Sequence, residues 1–467
     1  MFIYCDMQRV IRSMKKSDIR AQFFKYILFN IISSLGISVY ILIDTFFIER
    51  GMGTEGIASL NLCLPVFNFM NGFGLMLGLG GGGKFSMLYC RVERKETDRV
   101  FVNSFSAALA VSAFFLSIGL FFSRPFTSFL GADSSIFEMS HSYLKTVLLF
   151  SPAFILNNLF ACFIRNDSAP GLAMAGVLGG SCANIILDYV FIFRLGMGMQ
   201  GAALATCLSP IISMLIMSTH FISGWSAFQM RVMRPSFTAI REIAGLGLHA
   251  LVTEASGGIV VMIFNAIIYR MLGNAGIAAY GVITNFAIVF LAVYAGLSGG
   301  VQPLMCSFHG KKDDEALRYL LRLSVTTAIV MGGIFYTLLW YHTTGLVGIF
   351  NSSGNAGMQE IAEHGLRLYF IFLPFAGINA VMAVFFTSNE MPAPSHLISL
   401  LRGAVLVIPI ALICFRLRSV SGIWMTVPIA EMLTVLTAVM IYARTVKPVD
   451  LYALPKKRIR RRAVRYY

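Results

Sequence analysis

Two acids lie inside long apolar runs of this chain, Asp44 in SVYILIDTFFI and Asp188 in CANIILDYVFIF. An ionised aspartate at the centre of a membrane helix costs about 2.5–3.5 kcal/mol on insertion scales, so such residues are usually kept to handle a proton, a metal ion or a charged substrate. Asn184 precedes Asp188 by one helical turn and shares its face. Thr206 follows in the next apolar run. Two carboxylates, an amide oxygen and a hydroxyl are hard donors suited to a small cation such as Na⁺. The two carboxylates could equally share one proton. Taken singly, Asn184 and Thr206 are better explained by ordinary contacts between helices. Two acids at matched depth point to function.

The elements that must position these groups are membrane helices. Of the 467 residues, 57% are hydrophobic and 13% charged, and the mean hydropathy is +0.75. A soluble protein could not hide that much apolar surface. The spacing predicts an all-α integral membrane protein with twelve transmembrane helices, at about 24–48, 57–82, 100–122, 146–164, 171–193, 201–223, 246–269, 277–306, 320–341, 367–388, 396–415 and 422–443. Each run is long enough for a hydrocarbon core of roughly 30 Å. The first is read as a retained helix rather than a cleaved signal. At about 1.5 Å per residue, Asp44, Asp188 and Thr206 all fall roughly 6–8 Å below the outer interface.

The net charge of +15 is distributed by topology. Arg9, Arg12, Lys15, Lys16, Arg20 and Lys25 precede the first span. Arg91, Arg94, Lys95 and Arg99, then Arg231, Arg234 and Arg241, then Lys311, Lys312, Arg318 and Arg322 occupy alternate loops, and KKRIRRRAVR lies in the tail. The opposite loops, IERGMGTEG and FNSSGNAGMQE, are short or neutral. This positive-inside pattern predicts a cell-membrane protein with both termini in the cytoplasm and a tail able to touch anionic lipid. Nucleic acid is not needed to explain the charge. The eight cysteines are scattered without a CxxC pair and read as small core residues. GLGGGG at 78–83 follows no strand and lacks a GK[ST] ending, so it is a helix-packing or flexing segment rather than a nucleotide loop.

The chain also repeats itself. GIASL at 56 returns as GIAAY at 276, and GLGGGGKFSML at 78 as GLSGGVQPLMC at 296. SPAFILNN at 151 resembles LPFAGINA at 373, IRNDSAP at 164 faces TSNEMPAP at 387, and FRLGMGMQ at 193 faces FRLRSVSG at 415. Six spans per unit make these parallel repeats: two pseudo-symmetric six-helix bundles around a central cleft. The expected organisation is a bundle over 1–223, a cytoplasmic linker at 224–245, a second bundle over 246–443 and a basic tail at 444–467. Shifting Asp44, Asp188 and Thr206 by the repeat spacing lands near Phe264–Asn265, Ile410 and Val427, so the ion chemistry belongs to the first half. The second half has its own buried acid, Glu254, with His249 about one turn below it. Glu254 reads as a proton or cation-substrate site, a gate contact, or simply a water-facing acid. Glu431 in the last span is equally open, and His249 alone reads as structural.

In order and spacing, IDT of the first span, RNDSAP after the fourth, NIILD in the fifth, GAALAT in the sixth and QPLMCSFHG at the end of the eighth resemble the multidrug and toxic compound extrusion (MATE) family, nearest its DinF-like and MepA-like branch. The resemblance covers about 24–445. It implies an antiporter that expels small organic, often cationic, compounds against inward flow of Na⁺ or H⁺, with no other cofactor. It also implies a first-half cation site at Asp44, Asn184, Asp188 and Thr206. Some members use acids in spans seven and ten, a place Glu254 could take in part. Span ten carries Asn379 instead of an acid, which leaves Glu254, Asn379 and His249 an incomplete second-half set. The expected partners are small organic substrates and membrane lipids, without nucleic acid or an obligate protein. The alternative is a flippase for lipid-linked precursors, which would want several basic residues within the spans. A membrane enzyme is disfavoured, because no HExxH, clustered histidines or Ser/Lys pair falls within a span.

Overall fold

The computed structural model describes residues 16–90, 94–224, 226–229, 233–350 and 356–445. Arg9, Arg12, Lys15, Arg91, Arg231, the tail from 446 onward, and parts of the 224–245 linker and the FNSSGNAGMQE loop lie outside the described residues. Lipid supplies no hydrogen-bond partners, so each apolar run must satisfy its own backbone as a helix. The helices are α1 (Lys16–Gly53), α2 (Glu55–Cys90), α3 (Glu96–Phe121), α4 (Ser123–Phe129), α5 (Phe137–Leu149), α6 (Ser151–Asn166) and α7 (Pro170–Arg194). They continue with α8 (Gly198–Ile222), α9 (Phe237–Gly273), α10 (Ala275–Gly310), α11 (Asp314–Gly348), α12 (Ala356–Ser388), α13 (Pro392–Arg416) and α14 (Val420–Thr445). Among the described residues, eleven helices are long and apolar enough to span a bilayer, or twelve when α5 and α6, bent by 50° at their junction, count as one.

Most helices run past the ends expected from hydropathy. The departure that bears on the site is α5, which begins at Phe137 where the apolar pattern predicts a start near 146. Its sequence, FEMSHSYLKTVLL, buries only one face (Tyr143, Leu144, Val147, Leu148), and its polar half masks the helix from a hydropathy reading. The neutral loop expected around IERGMGTEG reduces almost to one residue. Gly53 adopts φ 66°, ψ −156°, a conformation open in practice only to glycine, and α2 starts at once. Gly273 makes the same turn between α9 and α10, with φ 63° and ψ −155°.

Two apolar cores form. One joins Ile48, Phe85, Phe101, Leu144, Phe163 and Ile243. The other runs from Phe264 to Ala438 and includes Ile19, Phe23 and Ile27 of α1. The amino end of α1 therefore packs with the second core, while Ile48 near its other end belongs to the first.

Contacts between the two sets of helices concentrate toward the end where α1 begins, here called the basal end. A side chain on Gly247 of α9 would overlap the backbone of Met76 on α2, and one on Gly80 would overlap Ile243. Gly296 and Gly300 of α10 press against Ile31 and Ile27 of α1 in the same way. Gln302 donates to the Leu79 carbonyl at 2.9 Å, Cys90 Sγ lies 3.3 Å from Ser307 Oγ, and Lys84 pairs with Glu242. These glycines belong largely to the two repeated segments at 78 and 296, read above as packing elements, and the close approach of helices across them agrees with that reading.

The linker is fastened to the first core. Asp167, between α6 and α7, accepts from His220 Nε2 and from the Ala227 N–H, both at 2.8 Å. Asp98 accepts from the Gln229 N–H and Asn103 from the Ser236 N–H. Between these anchors Phe228 is buried against Phe85, Phe101, Phe163 and Phe221. Burial pushes the Asp167 carboxyl above its ordinary range, against the opposing pull of His220 and the Ala227 N–H.

Two outcomes are expected. Ser307→Cys should cross-link readily to Cys90 under mild oxidation, and Gly247→Val, which blocks the backbone approach, should cut the yield several-fold on a mass-spectrometric readout. Phe228→Ala should cost about 3–5 kcal/mol of core packing. It should also release the linker, seen as faster tryptic cleavage at Arg231 and Arg234.

Candidate functional site

The site is built on α7. Gly176, Gly180, Asn184 and Asp188 recur every four residues and share one face. The two glycines admit α8 closely: a Cβ on Gly176 would lie 3.1 Å from the Ser213 carbonyl, and one on Gly180 only 2.7 Å from that of Ser209. That approach carries Thr206 to Asn184. The Asn184 amide, oriented by its partners, donates to Asp188 Oδ2 at 3.1 Å, and its carbonyl accepts from the Thr206 N–H at 3.3 Å. Asp44 arrives from α1, with its carboxyl within hydrogen-bonding reach of that of Asp188. Ring contacts hold α1 to α7 just beyond, where Phe47 meets Phe193 edge-on at 5.6 Å and Tyr189 at a tilt at 6.4 Å. After Asp188 the helix loosens into a π-helical turn, Tyr189–Arg194. Such turns often accompany functional sites.

All four residues singled out in the sequence are buried, with Asp188 and Asn184 fully so and Asp44 and Thr206 at 6% and 5% exposure. Asp44 Oδ1, Asp188 Oδ1 and Thr206 Oγ1 lack hydrogen-bond partners. Among the described residues no cationic side chain pairs with either acid. Pro210 removes a further bond: it has no N–H to offer the Thr206 carbonyl one turn back. Two carboxylates facing one another in an apolar surround repel unless a proton or cation stands between them. Three orphaned oxygens around that point are what a small hard cation or a proton would satisfy. Among the described residues no cluster of three or more His, Cys, Asp or Glu could hold a metal ion, so the donor set is unlike a transition-metal centre.

The structure adds two tyrosines that the sequence reading did not single out. Tyr40 sits one turn before Asp44 and lies within electrostatic reach of both carboxyls, a neighbour that i−4 spacing could have flagged. Tyr143 comes from α5 and stands beside Thr206 and Asp44. It escaped because the polar start of α5 hid that helix. Cysteines seat α5: Cys63 Sγ lies 3.7 Å from the Ser140 carbonyl and Cys207 Sγ 3.8 Å from that of Thr146.

Among the described residues no hydrogen bond joins the three second-half residues to one another. His249 is buried, with Nδ1 3.3 Å from the Thr387 hydroxyl. Glu254 is half-buried and packs beside Gly72 of α2. Asn379 donates to Glu431, at 2.6 Å to Oε2 and 2.9 Å to the carbonyl.

Comparison with known proteins bears on the whole chain. The model of the MatE family matches residues 30–190 and 250–413. Multidrug export protein MepA of Staphylococcus saprophyticus is 27% identical over 416 residues, 88% of this chain and 90% of its own length. MepA of Staphylococcus aureus is 26% identical over 411 residues, 86% and 89% of the two chains. A crystal structure of MATE in complex with MaL6 superposes with TM-score 0.85 at 19% identity, over 91% of this chain and 95% of the other. An outward-facing multidrug resistance MATE family transporter of the MOP superfamily gives 0.83 at 20%, over 90% and 94%. A mutant of the Vibrio cholerae MATE transporter VcmN gives 0.85 at 18%, over 93% and 99%. At these identities the structural matches speak to fold alone.

If the carboxyl pair is a cation seat, either Asp44→Asn or Asp188→Asn should lower cation affinity at least tenfold, about 1.4 kcal/mol. The check is thermal stability of the purified protein against cation concentration. The stabilisation expected of a bound ion in the parent chain, about 2.7 kcal/mol at a hundredfold excess over Kd, should disappear in both variants.

Proposed function

The chain belongs to the MatE family of membrane transporters, on its DinF-like and MepA-like branch, and from that premise we propose that it is a secondary antiporter. It expels small organic, often cationic, compounds against inward flow of Na⁺ or H⁺. The observation that carries this reading is the pair of facing carboxyls with three orphaned oxygens around it. The coupling ion is cargo here, received by Asp44, Asp188, Thr206 and the oxygen-bearing neighbours that orient them.

In this reading the twelve spans are two parallel six-helix bundles around a cleft. The recurrence of the glycine turn at Gly53 and Gly273 supports that symmetry. So does the recurrence of proline-started helices at Pro170 and Pro392. The basal end carries the basic loops and faces the cytoplasm of a cell-membrane protein. Its tight glycine contacts support reading this as an outward-facing state, with the Asp44–Asp188 seat toward the open end. A cation arriving from outside joins the two carboxyls and so draws α1 against α7. That movement reshapes the cleft and discharges the organic cargo. Glu254, half-buried beside α2 and in no hydrogen bond or ion pair among the described residues, is placed to meet a positive charge on that cargo. Cargo and cation must each weaken the other's binding by the same factor.

Lys84 already pairs with Glu242, and Arg402 with Glu431. Two basic side chains that a lipid pyrophosphate could have used are therefore committed elsewhere, which favours the antiporter over the flippase.

The deciding experiment loads proteoliposomes with ethidium and imposes an inward Na⁺ gradient or an inward pH gradient. One of the two should accelerate efflux. Asp44→Asn should abolish that acceleration, and undiminished efflux would remove the carboxylate from the mechanism.

A further inference from the structure

The second half of the chain holds a buried arginine–glutamate pair at a helix crossing whose first-half counterpart carries no charge. Arg402 donates from Nε to Glu431 Oε1 at 3.1 Å, and its Nη2 lies 3.0 Å from the same oxygen. Glu431 Oε2 accepts from Asn379 at 2.6 Å. The side chains are 15% and 5% exposed, and both stand near the middle of their helices, α13 and α14. Arg402 lies in a π-helical turn, Leu401–Val405, on the helix that matches α7 in the repeat. Shifting by the 222 residues that separate SPAFILNN from LPFAGINA places Arg402 on Gly180, Glu431 on Ser209 and Asn379 on Asn157. In the first half the Ser209 hydroxyl simply donates to the Gly180 carbonyl at 2.9 Å. The same crossing of helices is thus neutral in one half and ionic in the other.

Two neighbouring groups remain unsatisfied. Asn379 Oδ1 is fully buried without a partner, and so is the hydroxyl of Tyr294, which lies within electrostatic reach of Glu431. Without Arg402, this corner would present a carboxylate, an amide oxygen and a phenol oxygen to an empty centre. Those are donors of the kind found between Asp44 and Asp188. A lone carboxylate there would also be costly, because breaking a buried pair strands its partner's charge.

We propose that Arg402 is a built-in counter-cation. By pairing with Glu431 it keeps the buried acid of the second bundle from taking up a mobile cation, and so confines cation coupling to Asp44 and Asp188. The proposal rests on the antiport reading and deepens it by naming the residue that keeps coupling one-sided. Arg402 touches neither cargo nor coupling ion, so it is a specificity-determining residue and not a ligand.

The test uses ethidium efflux from proteoliposomes under imposed Na⁺ and pH gradients. Asp44→Asn alone should lose its cation response. Adding Arg402→Leu should restore a response through the freed Glu431, and adding Glu431→Gln as well should remove it again. A folded D44N/R402L protein that stays as unresponsive as the triple variant overturns the proposal while leaving the antiport reading intact. A D44N protein that keeps its full response overturns both. Should R402L fail to reach the membrane, the charge-neutral R402L/E431Q protein decides alone. Half-saturation by cation within twofold of the parent supports the proposal. Loss of coupling would make Glu431 itself a coupling ligand and overturn it.

Discussion

Two carboxyl groups meeting in an apolar interior are the constraint around which the first half of this protein is organised. Their repulsion has no fixed remedy, because no cationic side chain among the described residues pairs with either. The surrounding structure holds them in place without neutralising them. Glycines on α7 bring α8 close, Asn184 steadies Asp188, and the seated α5 delivers a phenol ring to Thr206. On the proposed antiport reading, a rigid frame around an unsatisfied carboxyl pair is what would let an ion from solution complete the arrangement. Had the frame supplied its own arginine, as the second half does beside Glu431, nothing would be left for an ion to complete.

The first helix gives this constraint its reach. Ile19, Phe23 and Ile27 pack in the core of the second half, whereas Ile48 and Asp44 lie with the first. One continuous helix therefore enters both packed bodies. An event at Asp44 can be felt in the second core through the helix backbone itself, without a relay of side chains across the cleft. That is a physical route for coupling, since a single stiff element whose position both sites bias is enough to join them.

Much of this was legible in the sequence because membranes make patterns strict. A charged residue inside an apolar run stands out, and depth counted from the span ends is enough to group Asp44, Asp188 and Thr206. The family resemblance was likewise carried by motifs in order, and the MatE match agrees with it. What escaped did so for identifiable reasons. Tyr143 lies on a helix whose polar first turns resemble a loop. The hydrogen-bond partner of Asn379, Glu431, lies 52 residues away on the last helix. Nothing in the spacing shows which of two buried polar groups a helix rotation will favour. Arg402 was passed over because a lone basic residue near a span centre says nothing about a partner on another helix.

The turns at Gly53 and Gly273 have a mechanical consequence. Each joins two long helices through almost no intervening chain, and each uses a conformation that only glycine holds comfortably. Such an elbow has no slack to give. When α1 swings or bows, α2 cannot stay behind, and the two must travel as the prongs of one stiff fork. The same holds for α9 and α10. Displacement of one prong by a fraction of a helical turn thus becomes displacement of the other by a comparable amount.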